Sequence, residues 1–211
     1  MQKQPLETDR KPRADAARNR ERVLEAAKGV FNAGGADASL EAVAKRAGVG
    51  IGTLYRHFPT REALFEAVYR REVEQLSELA EQLKNEPVPV DALRRWLRSG
   101  IEFIATKKGM SAALAIAVQG TSELRAYSFD RLTKAAGMLL DRAVAAGEIR
   151  SGLSSEELIR ALVGMCLLDD KPGWQKSVQR LIEIFVDGLR VFPSDKIAPI
   201  AAKRRKRSKR I

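Results

Sequence analysis

The chain reads as an all-α protein, with an N-terminal three-helix helix-turn-helix domain joined by a long helix to a larger helical domain. Three observations predict this. Apolar residues recur at helical spacing through most of the 211 residues, no segment alternates convincingly like a strand, and glycine or proline corners cut the periodic runs into helix-sized lengths. At 45% hydrophobic and 31% charged, the composition supplies a core for one medium helical domain and a small one.

Residues 1–17 are mixed in charge, carry Pro5 and Pro12, and read as a flexible basic arm; Arg10, Lys11 and Arg13 suit a DNA minor groove, or the segment is a plain leader. Helix one is expected from Arg18 to Asn32, with Val23, Ala27, Val30 and Phe31 inward and Gly34-Gly35 ending it. Ser39 is a natural N-cap for the next helix, whose Leu40, Val43, Ala44 and Ala47 recur at i, i+3, i+4 and i+7. Gly48 supplies the positive φ for a sharp reversal, so a helix-turn-helix follows. Its second helix, Ile51 to Phe58, buries Leu54 and Phe58 and turns Gly52, Thr53, Tyr55, Arg56 and His57 toward the rim. Pro59 closes that helix and Thr60 caps the next. Arg61 then stands at a helix start, where the dipole favours an acid, which points to an anion nearby.

The fourth helix, about Arg61 to Lys84, would span about 36 Å at 1.5 Å per residue, enough to connect the head to the rest. Asn85-Glu86-Pro87-Val88-Pro89 breaks it. A fifth helix carries Leu93, Leu97, Ile101 and Ile104 on one face. Gly109, Gly120 and Gly147 then frame a short helix at about Ser111 to Gln119 and a longer one at about Ser122 to Ala146. Ser154 and Glu157 form a capping-box pattern for a helix with Leu158, Leu162, Met165 and Cys166. A last helix runs to about Phe192 on a stripe of Val178, Leu181, Ile182, Phe185, Leu189 and Phe192. Both final helices carry apolar residues off the main stripe, among them Ile159, Val163, Ile184 and Val191, which suit either a larger core or a partner subunit.

The run AGVGIGTLYRHFPTREALF, with an amphipathic helix before it, closely resembles the DNA-binding domain of the TetR family of bacterial transcriptional regulators, over about Arg20 to Val68. The resemblance implies a homodimer paired through the two C-terminal helices, with Leu158, Leu162, Val178, Ile182, Phe185 and Leu189 as interface candidates. It implies a small-molecule effector that tilts the fourth helix and releases a palindromic operator. Thr53, Tyr55 and His57 are then expected on phosphates, Arg61 on the DNA backbone, and Ile51, Gly52 and Arg56 at base edges. Gly50 stands where the family often has serine, leaving only a backbone N–H for that contact. The domains so implied are 1–17 arm, 18–64 DNA-binding, 65–193 effector-binding and dimerisation, and 194–211 basic tail.

Trp96, Phe103, Met110, Met138 and Trp174 are candidates for an effector pocket, though bulky residues at helical spacing equally make plain core. Arg94, Arg95, Arg98 and Lys107 favour an acidic effector or form a solvated face. Seven of the +11 net charges lie in Lys203 to Arg210, leaving +4 elsewhere. That tail reads as disordered and able to bind DNA without regard to sequence. An architectural DNA-coating protein driven by the tail is therefore the alternative to a sequence-specific repressor. An enzyme is not expected: the single histidine lies in the recognition helix, and no phosphate loop, nucleophile set or metal-ligand cluster appears, so no cofactor is called for. One cysteine excludes an internal disulfide framework, and no apolar run approaches the roughly 20 residues of a membrane span, so a cytoplasmic, nucleoid-bound protein is expected.

Overall fold

The computed structural model describes residues 10–34, 38–109, 122–167 and 173–191. Among them are eight helices: α1 (Arg10–Gly34), α2 (Leu40–Ala47), α3 (Ile51–His57), α4 (Arg61–Leu83), α5 (Pro89–Gly109), α6 (Ser122–Ala145), α7 (Ser155–Leu167) and α8 (Trp174–Leu189). The expected helix at Ser111 to Gln119, the pocket candidate Met110 and the tail after residue 193 lie outside the described residues.

The caps behave as their chemistry demands. Ala42 N–H donates to Ser39 Oγ at 3.1 Å and Ala63 N–H to Thr60 Oγ1 at 3.1 Å. Gly48 takes φ 65° and ψ 37°, and its N–H turns back to the last carbonyls of α2. The Ser154–Glu157 box closes both ways, with Glu157 N–H on Ser154 Oγ at 3.2 Å and Ser154 N–H on Glu157 Oε2 at 2.8 Å. The Ser154 N–H and then the Ser154 hydroxyl, both donating to that carboxylate, hold it below its ordinary pKa.

Two boundaries differ from expectation. Helix α1 begins at Arg10, not Arg18. Pro12 falls in its first turn, where the missing N–H has no helical partner to lose, and Ala14, Ala16 and Ala17 favour continuation. Helix α8 stops at Leu189 because Arg190 turns extended and bridges Ile149, with Arg150 N–H on Leu189 O at 2.9 Å.

Helices α1 to α3 close over Val23, Ala27, Phe31, Val43, Leu54 and Phe58, all at most 2% exposed. Phe31 stacks on Phe65 of α4 at 4.3 Å, so α4 roots in the head's core. Farther along, α4 packs against α5 and α6. Trp96 is fully buried there, its indole N–H donating to Leu76 O at 2.8 Å. Trp96 is thus core, not pocket: its one polar atom is already satisfied inside the fold. A charged seam joins head and body. Arg71 of α4 reaches Glu21 at 2.6 Å and Glu25 at 2.8 Å on α1, and Lys28 reaches Glu72 at 2.6 Å. No helix among the described residues is long and apolar enough to cross a membrane.

Candidate nucleic-acid interface

Helix α3 is held by one buried face and offers the other. Leu54 is 0% and Phe58 2% exposed, fixing the helix on the head's core. Ile51 and Tyr55 are 39% and 45% exposed, and Gly50, Gly52 and Arg56 share their outward side. Thr53 and His57 are half-buried at the rim. The i, i+1, i+4, i+5 spacing of Ile51, Gly52, Tyr55 and Arg56 gathers an apolar branch, bare backbone, a phenol and a guanidinium on one stripe.

Three glycines at this corner have different reasons. A Cβ on Gly48 would lie 2.5 Å from Arg22 Nη2 in a backbone that disfavours side chains, whereas Cβ atoms on Gly50 and Gly52 would meet nothing within 4 Å. The fold requires Gly48. No described residue crowds the other two.

Arg61 heads α4 as expected, but its guanidinium lies 5.3 Å from the Phe65 ring centre and 6.0 Å from that of Phe31, half-buried on the head's aromatic pair. Sequence reading missed other cations around the same corner. Arg22 donates to Gly48 O at 3.3 Å, Arg20 lies 4.7 Å from the Phe58 ring centre, and Lys45 and Arg46 are exposed at the end of α2. Only their positions beside the turn, which the fold creates, set them apart from other surface cations.

The body holds a cavity of about 780 Å3 between α4, α5, α6 and α7. Phe103 lines it together with Tyr69, Lys107, Arg125, Leu132 and Ile159. The other pocket candidates lie elsewhere. Trp174 is 9% exposed beneath the Lys108 ammonium at 4.5 Å, and half-buried Met138 borders a separate cleft beside Asp130 and Lys134. Of the four cations proposed to favour an acidic effector, three are engaged outside the cavity. Arg94 pairs with Glu183 and with Asp187 at 2.8 Å, Arg98 with Glu183 at 2.7 Å, and Arg95 with Glu86 at 2.9 Å. Only Lys107 faces it.

The interface candidates on α7 and α8 need correction. Leu158, Leu162, Val178 and Ile182 are at most 3% exposed and belong to the protomer's own core, so they have no surface to give a partner. Phe185 and Leu189 are half-buried against that core. The exposed apolar residues are Leu167 at 58%, Leu181 at 47% and Ile184 at 68%. Cys166 is buried as well, and burial pushes its thiol up to about 11, so it is an inert packing residue.

Comparison with known proteins meets this geometry at both ends. Residues 23–68 match the model of the tetR family of bacterial regulatory proteins, and residues 88–191 that of the SbtR-like transcriptional regulator C-terminal domain. An HTH-type transcriptional regulator of Staphylococcus aureus is 36% identical over 75 residues, which are 35% of this chain and 40% of that protein. The chain therefore matches less than half the length of such curated relatives. Solved structures match over most of the chain. The TetR transcriptional regulator SCO0520 of Streptomyces coelicolor is 43% identical, with a TM-score of 0.74 over 81% of this chain and 98% of its own. A TetR regulatory protein of Mycobacterium vanbaalenii is 34% identical, with a TM-score of 0.68 over 85% and 99%. LfrR of Mycobacterium smegmatis, solved in complex with proflavine, shares the fold at 21% identity, with a TM-score of 0.60 over 83% and 98%. With its head, its body and its full-length structural relatives in agreement, the chain belongs to the TetR family of transcriptional regulators.

Proposed function

We propose that the protein is a dimeric repressor that holds a palindromic operator through α3 of each protomer and releases it when a small molecule enters the body. The observation that carries this reading is the outward stripe of Ile51, Gly52, Tyr55 and Arg56 on a helix anchored by Leu54 and Phe58. Thr53, Tyr55 and His57 set the register on phosphates, while Ile51 and Arg56 reach a thymine methyl and a guanine edge. Gly50 and Gly52 let the DNA approach the backbone.

The exposed Leu167, Leu181 and Ile184 supply the partner contact, which places two α3 helices about a twofold axis. Helix α4 supplies the linkage, because Phe65 packs in the head while Tyr69, four residues on, lines the cavity. A ligand that prefers the cavity shape of the DNA-incompetent state shifts the equilibrium by its differential affinity, typically about 1–3 kcal/mol. LfrR, a protein of the same fold, holds proflavine, which supports a small-molecule effector here. In this reading the protein works at the bacterial nucleoid in the cytoplasm, and the run Lys203 to Arg210 strengthens DNA binding through counterion release.

The test is binding to the protein's own upstream promoter fragment and to scrambled DNA of equal length, across a salt series, with and without residues 203–211. The promoter is expected to win by about a thousandfold. Equal binding that disappears with the tail favours the DNA-coating alternative.

A further inference from the structure

The cavity between α4, α5, α6 and α7 carries two positive charges that no carboxylate among the described residues balances. At about 780 Å3 it falls within the ~300–1,000 Å3 range of small-molecule sites. Its apolar walls come from Phe103 on α5, Leu132 on α6, and Ile159 and Val163 on α7. Three cations border the same space: Lys107, Arg125 and Arg160, one from each of those helices. No carboxylate is among the described lining residues. Arg160 is balanced by Glu156, one turn back on its own helix at 3.2 Å. Lys107 and Arg125 have no carboxylate partner among the described residues. The Lys107 ammonium lies 5.9 Å from the Tyr69 ring centre.

Lys107 and Arg125 are both exposed at the mouth of this space, so their mutual repulsion is partly screened by water and opposes folding only modestly. Lys107 shows the effect: desolvation by the surrounding protein, and then the charge of Arg125, lower its pKa. Four other arginines of α4 and α5 do have such partners. Arg71, Arg94, Arg95 and Arg98 each have at least one carboxylate within 2.9 Å. Tyr69 adds a polar floor, its hydroxyl donating to Ser128 Oγ at 2.9 Å while that oxygen can still accept a bond.

We propose that this cavity binds an amphipathic organic anion, with Lys107 and Arg125 holding its acid group and Phe103, Leu132 and Ile159 covering its apolar body. An acid group placed between the two cations cancels their repulsion and gains charge-assisted hydrogen bonds, which a neutral ligand of the same shape does not. Discrimination by charge follows. The proposal deepens the reading of the protein as a ligand-released repressor and rests on it for the meaning of the site.

The experiment is calorimetric titration of the full chain with three probes that share one apolar body: 4-phenylbutyrate, 4-phenylbutanol and 4-phenylbutylammonium. Phenylbutyrate is expected to bind at least tenfold more tightly than the alcohol, and the ammonium least. Lys107→Met combined with Arg125→Met brings phenylbutyrate to within about twofold of the alcohol, while Lys107→Arg combined with Arg125→Lys keeps the preference. Circular dichroism of both variants verifies folding, and alcohol binding retained by the Met pair verifies the cavity. Absence of phenylbutyrate binding, equal affinity for acid and alcohol, or a preference that survives the Met pair overturns the proposal. The promoter assay stands apart. Preference for the acid without preference for promoter DNA supports the anion site and overturns the repressor reading.

Discussion

Lys28 Nζ of α1 lies 2.6 Å from the Glu72 carboxylate of α4, and that carboxylate is only 6% exposed. Its second oxygen, Oε1, is buried with no hydrogen-bond partner among the described residues. Among the described residues Lys28 is thus the one neutralising neighbour of the buried Glu72 carboxylate, which sits where the head meets the helix that runs on to the cavity. Removing Lys28 leaves the charge uncompensated, so Lys28→Met is expected to cost about 2–3 kcal/mol, below the usual loss for a fully buried pair because Lys28 keeps 28% of its side chain in water. Replacing both, Lys28→Met with Glu72→Met, is expected to recover most of that loss. Denaturant midpoints of the three proteins check it. A single variant as stable as the parent would mean that water already satisfies Glu72.

The three glycines around the turn separate folding from recognition. Gly48→Ala puts a Cβ into a left-handed backbone and against Arg22, so a loss of about 1–2 kcal/mol is expected in unfolding experiments. Gly52→Ala meets no protein atom, and a helical alanine is expected to raise stability by up to about 1 kcal/mol. If α3 seats on DNA, the same methyl weakens promoter binding. Gly52→Ala with full affinity would move the DNA contact off this face of α3.

Tyr55 and Arg56 are exposed neighbours with different expected roles. Tyr55→Ala removes a phosphate contact and is expected to weaken all DNA sequences about equally. Arg56→Ala is expected to cost about 1–3 kcal/mol on the preferred site and to relax one base position. Binding-site selection with each variant separates the two. An Arg56→Ala selection that keeps every base position removes Arg56 from the base-reading set.

How much of this was legible in the sequence depended on how far apart the interacting residues lie. The Ser39 cap, the Gly48 turn and the Ser154–Glu157 box are local, so residue type and spacing were enough to find them. Arg94 and Arg98 were ambiguous because Glu183 and Asp187 lie over 80 residues away, and only packing of α5 on α8 shows that these cations are spoken for. Arg125 went unnoticed because α6 is polar on much of its surface and nothing in its spacing marks a cavity wall. The apolar stripes of α7 and α8 misled for a related reason. Leu158, Val178 and Ile182 go to the protomer's own core, whereas Leu181, on the same stripe of α8, is left outside together with the off-stripe Ile184.

That division gives an oligomerisation test. Ile184→Glu places a charge on a side chain that is 68% exposed in the protomer, so its folded state tolerates the change. If α8 pairs with a second copy, the buried charge splits the dimer, and sedimentation is expected to show a folded monomer with weakened promoter binding. Ile182→Glu instead buries a charge in the core at 0% exposure and is expected to unfold the protomer. A dimer that survives Ile184→Glu puts the interface elsewhere.

Lys107 offers a test that needs no ligand. Its ammonium is penalised in the folded state, so Lys107→Met is expected to raise Tm at neutral pH, by about 1–3 °C for a chain of this size, with the exposed position keeping the gain small. The pH dependence follows from the direction of the shift. Well below its lowered folded pKa, Lys107 is charged in both folded and unfolded chains and the whole penalty is present. Above 10.5, the ordinary value, it is neutral in both and the penalty is gone. The Tm gap between parent and variant is therefore expected to close as pH rises toward 10.5. The other groups bordering the same space are the guanidinium groups of Arg125 and Arg160 and the Tyr69 phenol, and burial raises Tyr69 above its ordinary 10.0, so it remains protonated over most of that window. Thermal unfolding of both proteins at several pH values between 7 and 10.5 measures the gap, and a gap that stays constant or widens would show that Lys107 carries no folded-state penalty to relieve.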